Sequence, residues 1–160
     1  MKYLVSSCLA GVACRYNGTA SLDEKIQELV EREEAKMLCP ELLGGFSTPR
    51  EPAEIIGGNG RDVLAGTAKV IEKSGTDVTE LYVKGAYETL DWARKLGVTC
   101  VVLKEFSPSC GSQMIYDGTF GNEKISGEGV TAALLRQEGY TVISENEFMA
   151  DLRASRFQRP

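Results

Sequence analysis

The chain has 160 residues, of which 42% are hydrophobic and 26% are charged, and its formal net charge is −5. This composition excludes an intrinsically disordered chain, and no apolar run approaches the roughly 20 residues that a membrane-spanning helix needs. The excess of acidic residues disfavours non-specific binding to nucleic acid. We therefore expect one globular domain over 1–160, with no membrane or nucleic-acid partner.

The chain contains five cysteines and no histidine. Its first residues resemble a strand rather than a signal peptide, which predicts a cytoplasmic protein. In that reducing compartment an odd number of cysteines favours free thiols, redox chemistry or metal binding over disulfides. Because histidine is missing, the chemistry has to use sulfur, carboxylate, hydroxyl or amide groups.

The first half of the chain alternates buried strands, helices and turn-rich segments. A capping box of Ser21 and Glu24 predicts the start of the first helix. The segment 39–52 is rich in Gly and Pro, and long loops in compact domains are often functional. The predicted elements are a strand at 2–7, a helix that opens after Ser21 and runs through about 33, a strand at 35–38, this loop, and a β-hairpin with strands at 53–56 and 68–72.

The second half begins with the strongest predicted helix, at 77–96, where apolar residues recur at helical spacing and Gly97 marks the end. Gly85 within this helix costs about 1 kcal/mol relative to alanine. The β-branched run at 98–103 predicts a strand buried on both faces of a parallel sheet. The remaining predicted elements are a second hairpin at 114–124, a helix at 127–138, a strand at 140–143, and a terminal helix opened by a capping box of Ser144 and Glu147.

Strands that alternate with helices predict an α/β fold: a Rossmann-like three-layer sandwich with a short, mostly parallel sheet and a small appended β-hairpin. In such sheets the carboxyl ends of the strands share one edge, and ligands bind outside that edge. Cys8, Cys39 and Cys110 each lie at or just after a predicted strand end. The sequence therefore predicts that these three thiols meet.

The other two cysteines have different contexts. Cys100 lies within the predicted strand at 98–103, which indicates an ordinary core residue. Cys14 stands beside Arg15 in the first loop, where it could be a fourth ligand or a reactive thiol. No pair of cysteines has C-x₂-C spacing, so zinc and an iron–sulfur cluster both remain open at this point.

Several hydroxyl and carboxyl groups lie close to the cysteines in sequence. Glu41 follows Cys39 by two residues, and Ser107 and Ser109 precede Cys110. Serines beside proline and glycine are also ordinary turn formers, and a loop carboxylate is usually solvated. Arg50 could position an anion or bridge to a carboxylate.

Four ordered motifs together resemble the thiouracil desulfidase family, from the first strand to the last helix. They are Cys8-Leu9-Ala10-Gly11, Cys14-Arg15-Tyr16-Asn17-Gly18, Cys39-Pro40-Glu41-Leu42-Leu43-Gly44-Gly45 with Thr48-Pro49-Arg50-Glu51-Pro52 and Glu54-Ile55, and Ser107-Pro108-Ser109-Cys110-Gly111.

The resemblance implies a [4Fe–4S] cluster held by Cys8, Cys39 and Cys110, with the fourth iron open to the sulfur of a thiolated pyrimidine such as thiouracil. It also implies cluster-assembly machinery as a partner, and catalytic roles for Cys14, Glu41 and Ser107 or Ser109. A cluster with an open iron is expected to break down in air.

Three functions follow as hypotheses. The first is a non-redox desulfidase that hydrolyses a C=S bond and releases sulfide. The second is a non-catalytic iron–sulfur or zinc module that acts as a sulfur carrier or sensor. The third is a thiol enzyme with Cys14 as nucleophile, which the absence of histidine makes harder to activate.

Overall fold

The computed structural model describes residues 3–12, 16–17 and 24–157. Its strands are β1 (Tyr3–Ser6), β2 (Ala35–Leu38), β3 (Ala53–Ile56), β4 (Lys69–Glu72), β5 (Cys100–Leu103), β6 (Met114–Tyr116), β7 (Lys124–Ser126) and β8 (Thr141–Ser144). Its α-helices are α1 (Glu24–Glu31), α2 (Pro40–Leu43), α3 (Gly60–Ala65), α4 (Thr79–Leu96), α5 (Val130–Gln137) and α6 (Glu145–Phe157), and a 3-10 helix at Ser7–Ala10 follows β1.

Four strands form a parallel central sheet in the order β2-β1-β5-β8. Because the strands are parallel, their carboxyl ends lie at one edge of the sheet. At this edge each strand continues into a helix or a loop. The predicted α/β class, the parallel sheet and the shared edge at the carboxyl ends are thereby confirmed.

Alternate residues of the sheet face two separate cores, as the twofold repeat of a strand requires. Leu4 and Val101 pack with residues of α4 and α5, whereas Val5 and Val102 pack with Ile26 of α1 and Phe148 of α6. Helices therefore cover both faces, which gives the expected three layers.

Two antiparallel hairpins accompany the central sheet. β3 pairs with β4 and β6 pairs with β7. Both hairpins were predicted, and β3 and β4 form a two-stranded sheet separate from the central one, as expected for an appended hairpin. The long connection between them contains α3, whose N-terminus is closed by a capping box of Asn59 and Asp62.

The helix boundaries follow local hydrogen bonds. The Ser144 hydroxyl accepts the Glu147 N–H, and the Glu147 carboxylate accepts the Ser144 N–H, each at 3.2 Å, which confirms the second capping box. Ser21 of the first predicted box lies outside the described residues. α4 begins at Thr79 rather than at 77 because the Asp77 carboxylate accepts both the N–H and the hydroxyl of Thr79.

Gly85 of α4, a costly residue in a helix, is explained by packing. A Cβ at this position would overlap the carbonyl oxygen of Pro40 in α2, and a Cβ at Gly44 would overlap the carbonyl of Leu81. The two glycines therefore let α2 lie against the backbone of α4. This close approach fixes the segment that begins at Cys39.

Cys100 is only partly buried, and it packs beside the core that contains Val5 and Val102. It thus belongs to the edge of the core that the sequence predicted for it. Within the described part of the chain, no helix combines the length and apolar character needed to cross a membrane.

Candidate functional site

A cavity of about 410 Å³ opens at the edge of the central sheet where β1, β2 and β5 end. This volume falls in the range of roughly 300–1,000 Å³ that is typical of small-molecule sites. Cys8, Cys39 and Cys110 all line it. Three thiols separated by up to about a hundred residues in sequence thus border one cavity.

Cys8 lies in the 3-10 helix that directly follows β1. The helix turns back at Gly11, which has a φ of 99° and whose N–H is bonded to the carbonyl of Cys8. Cys8 is a buried free thiol that packs beside Val5 and Leu9. The end of β1 therefore places its side chain between the core and the cavity.

Cys39 is the N-cap residue of α2, and Pro40 occupies the first helical position as expected. Its backbone is extended and its side chain makes no capping hydrogen bond. The thiol is partly exposed and lines the cavity. The chain between β2 and α2 therefore brings this thiol to the cavity.

Cys110 lies in the loop after β5, and this loop is closed by several hydrogen bonds. The Ser107 hydroxyl accepts the N–H of Ser109 at 3.2 Å and the N–H of Cys110 at 2.7 Å. The carbonyls of Pro108 and Ser109 accept N–H groups from the first turn of α5, which otherwise have no partner within the helix. The loop is thereby attached to the start of α5.

The Cys110 thiol is buried and lies near two acidic groups, Glu41 and Cys39. Burial raises its pKa well above the ordinary value for cysteine, and the nearby Glu41 and Cys39 raise it further. Its sulfur also donates to the Ser109 hydroxyl at 3.7 Å.

Glu41, in α2, is held by two side chains in the same cavity wall. Its Oε2 accepts hydrogen bonds from Arg50 Nε at 2.7 Å and Arg50 Nη2 at 2.6 Å, and from the Tyr82 hydroxyl at 3.5 Å. Among the described residues no hydrogen bond reaches Oε1. One carboxylate oxygen is therefore anchored, and the other is available to a ligand.

The partners of Glu41 keep their protons. Burial raises the pKa of the Tyr82 hydroxyl well above its usual value, and Glu41 adds to that shift. Burial alone would lower the pKa of the Arg50 guanidinium, but the charge of Glu41 outweighs it and the net shift is upward. Of the two roles predicted for Arg50, the structure shows the bridge to a carboxylate.

Aromatic residues and lysines form the outer wall. Phe106, Phe120 and Asn122 line the cavity, and their φ angles are 79°, 58° and 62°. Such positive values are uncommon outside glycine, and for a bulky residue they indicate local strain, which concentrates at functional sites. Further lining residues are Tyr16, Lys73, Lys104 and Tyr116.

The donor set can be compared with what an iron–sulfur cluster requires. Clusters are held by cysteine thiolates, and no histidine is needed. Among the described residues, no three cysteine, aspartate, glutamate or histidine side chains lie close enough together to bind one metal ion. The residues present fit such a group because three thiols border one cavity.

A family model described as 2-thiouracil desulfurase matches residues 3–147. The chain belongs to this family. The match runs from the start of β1 into α6 and so includes every element that borders the cavity.

Two similar proteins allow a more detailed comparison for this member of the desulfurase family. The chain is 65% identical over 144 residues to the uncharacterized protein YbbK of Bacillus subtilis (strain 168), a match that covers 90% of this chain and 95% of that protein. It is also similar to the solved structure of the [4Fe-4S]-dependent thiouracil desulfidase TudS, with a TM-score of 0.83 and 38% sequence identity. That similarity covers 96% of this chain and 97% of the TudS chain.

The other predicted site residues of this family member are placed differently. Glu41 and Ser107 line the cavity with the three cysteines. Ser109 does not: it is 1% exposed and its hydroxyl lies 2.9 Å from that of Thr131, behind Cys110. Cys14 lies outside the described residues.

Sequence reasoning missed two polar residues of the site. Tyr82 belongs to the apolar pattern of α4, which predicts a core residue. That pattern gives no sign that the Tyr82 hydroxyl reaches the site. Glu105 lines the cavity and stands two residues before the Ser107 motif. Its position next to a motif is the one signal that could have singled it out.

Proposed function

We propose that this protein is a non-redox desulfidase that removes sulfur, as sulfide, from a thiolated pyrimidine at a [4Fe–4S] cluster held by Cys8, Cys39 and Cys110. The observation that carries the proposal is the arrangement of these three thiols around one cavity of ligand size. Membership of the 2-thiouracil desulfurase family and the likeness to TudS support it.

Cys8, Cys39 and Cys110 would hold the cluster, and the iron left without a thiolate would supply a Lewis acid able to polarise a C=S bond. The overall reaction is hydrolysis: water adds its oxygen to the carbon, the C=S bond breaks, and sulfide leaves with the protons of the water. No electron is gained or lost, so no redox partner is required.

The protein's own part in this reaction centres on Glu41. Arg50 and Tyr82 hold Oε2 in place, so Oε1 can accept a proton from water in the cavity. General base catalysis of this kind contributes about 10²- to 10⁴-fold in rate. The Ser107 hydroxyl accepts two N–H groups and also bonds to the Cys110 thiol, where it opposes the rise in the pKa of that group.

The aromatic wall supports a flat substrate. Phe106, Tyr116 and Phe120 offer apolar ring surfaces beside the polar groups, which suits a heteroaromatic ring with a few hydrogen-bonding atoms.

The deciding experiment is anaerobic reconstitution with iron and sulfide, followed by an absorbance spectrum and a 4-thiouracil assay. We expect a broad absorbance near the blue end of the visible and release of sulfide. Cys110→Ala should lose both. Cys100→Ala is the matched control because Cys100 is not among the residues that line the cavity, and it should keep both.

Two further variants separate this proposal from its alternatives. Glu41→Gln should keep the absorbance and lose about 10²- to 10⁴-fold in rate. Absorbance without turnover in the wild type would favour a sulfur carrier or sensor. If Cys14→Ser abolishes turnover in protein that binds no cluster, a thiol enzyme would replace the proposal. The cytoplasmic location and the cluster-assembly partner stay predictions.

A further inference from the structure

Glu105 makes an unusually large number of hydrogen bonds for one carboxylate. It is 7% exposed and lies two residues beyond the end of β5. Its Oε1 accepts the N–H of Ser112 at 2.7 Å, of Gln113 at 3.1 Å, of Met114 at 3.2 Å and of Phe106 at 3.3 Å. Its Oε2 accepts the Ser112 hydroxyl at 2.7 Å.

These bonds close a loop on both sides of Cys110. The N–H of Phe106 precedes Cys110, and the N–H groups of Ser112, Gln113 and Met114 follow it. The carboxylate therefore joins the two ends of the segment 106–114. The hydrogen bonds of Ser107 then shape the inside of this segment around the thiol.

Other contacts fix the ends of the same loop. The Glu105 N–H donates to Glu145 Oε2 at 3.1 Å, which attaches the loop to the start of α6. Arg136 of α5 donates to the carbonyl of Ser112 and, at 2.8 Å, to Glu128. Ser112 is thus bonded through its N–H, its hydroxyl and its carbonyl.

The strained backbone at Phe106 fits this arrangement. Its φ of 79° turns the chain sharply directly after Glu105. Strained residues persist only where the surrounding structure holds them, and the bond from the Phe106 N–H to Glu105 is one such restraint. The Lys124 ammonium over the Phe106 ring, 3.8 Å from its centroid, is another.

We infer that Glu105 is a positioning residue that holds the Cys110 loop in its ligand-presenting shape before a cluster is bound. The inference rests on the proposed function for the identity of the bound group, but the shape of the loop does not depend on it. The favourable hydrogen bonds to Glu105 outweigh its burial and lower the pKa of this carboxyl, so it accepts as a carboxylate.

The chain offers a matched control in Glu54. It is 8% exposed, lines the same cavity, and its Oε1 accepts the N–H of Gly118 at 2.9 Å and of Phe120 at 3.2 Å. It differs from Glu105 in that the loop it holds contains no cysteine. Glu54→Ala thus removes a buried carboxylate and its charge from the cavity without touching the Cys110 loop.

The first measurement is hydrogen–deuterium exchange on the cluster-free protein. In Glu105→Ala we expect the amides of residues 112–114 to exchange about tenfold faster or more, because their acceptor is gone. Glu105→Gln keeps one carbonyl oxygen as acceptor and should show an intermediate increase. Glu54→Ala should leave these three amides within about twofold of wild type.

The second measurement is the loss of the visible absorbance from anaerobically reconstituted protein in the presence of an iron chelator. We expect loss about tenfold faster in Glu105→Ala, partial rescue in Glu105→Gln, and a rate close to wild type in Glu54→Ala. If Glu105→Ala does not fold, Glu105→Gln is compared with Glu54→Ala instead.

The inference is overturned if the Glu105 variants match Glu54→Ala in both measurements. If the wild type takes up no cluster, the proposed function fails, while the exchange rates still decide whether Glu105 holds the loop.

Discussion

The Cys110 loop and the Cys39 segment present their thiols to the same cavity by different physical means. Hydrogen bonds to Glu105, to Ser107 and from the first turn of α5 hold the Cys110 loop. The Cys39 segment relies on α2 lying against the backbone of α4 at Gly44 and Gly85.

The difference indicates which kinds of substitution each region tolerates. A loop held by directed hydrogen bonds is sensitive to loss of a polar atom. A segment held by close packing is sensitive to added volume. Within the Cys39 segment, the ion pair between Glu41 and Arg50 is a polar contact that we expect to be sensitive to loss of either partner.

The largest effect is expected from Arg50→Ala. The side chains of Arg50 and Glu41 are 5% and 11% exposed, and removal of one partner leaves a nearly buried charge. We expect the free energy of unfolding to fall by about 3 kcal/mol, measured by urea denaturation of the cluster-free protein. Arg94→Ala breaks the exposed pair with Glu138 and should cost less than about 1 kcal/mol. Equal losses of stability in Arg50→Ala and Arg94→Ala would show that burial does not make the Glu41–Arg50 pair special.

Gly85→Ala tests the packed region directly. In an exposed helix this change stabilises by about 1 kcal/mol. Here the new Cβ would overlap the Pro40 carbonyl, so we expect a loss of about 2 kcal/mol instead and weaker cluster retention through displacement of Cys39. Glu88→Ala, at an exposed position of the same helix, serves as control. A stabilised Gly85→Ala variant would show that α2 is free to move.

Ser107→Ala tests the hydrogen-bonded loop. The N–H groups of Ser109 and Cys110 lose their acceptor, and we expect a loss of about 1 kcal/mol because water replaces part of it. Thermal unfolding of the cluster-free protein measures this effect apart from any catalytic role. Ser107→Thr keeps the hydroxyl and should restore most of the stability; if it does not, the hydroxyl is not the holding group.

The smallest effect is expected from pH, because it concerns a single carboxylate. The pKa of Glu105 is lower in the folded protein than its ordinary value of 4.5. Its contribution to stability is therefore present above that value and is lost as pH falls through the lowered value. The stability difference between wild type and Glu105→Gln should be constant from pH 7 to about 5 and shrink below about 4.5. A difference that grows on acidification would contradict the sign.

Much of the fold could be predicted from local patterns. The β-branched run at 98–103 predicts a buried central strand, and β5 indeed pairs with both β1 and β8. The hairpins were predicted from their flanking turns, and β3 and β4 indeed pair with each other in a sheet of their own.

The predicted strand ends located the three cysteines of the site, but the sequence did not predict which side chains pair there. Cys8, Cys39 and Cys110 follow strands, so their meeting at one edge could be predicted. The pairing of Glu41 with Arg50 and Tyr82 could not, since Tyr82 reaches the site from the middle of a distant helix.

The sequence by itself determined the α/β class, the strand ends that bear the three thiols, and a chemistry without histidine, because these depend on residue type and spacing. Only the tertiary structure decided how each thiol is held. The role of Gly85 depends on an approach between two backbones, and the role of Glu105 depends on where four N–H groups converge. Neither arrangement repeats along the chain, so no pattern in the sequence reports it.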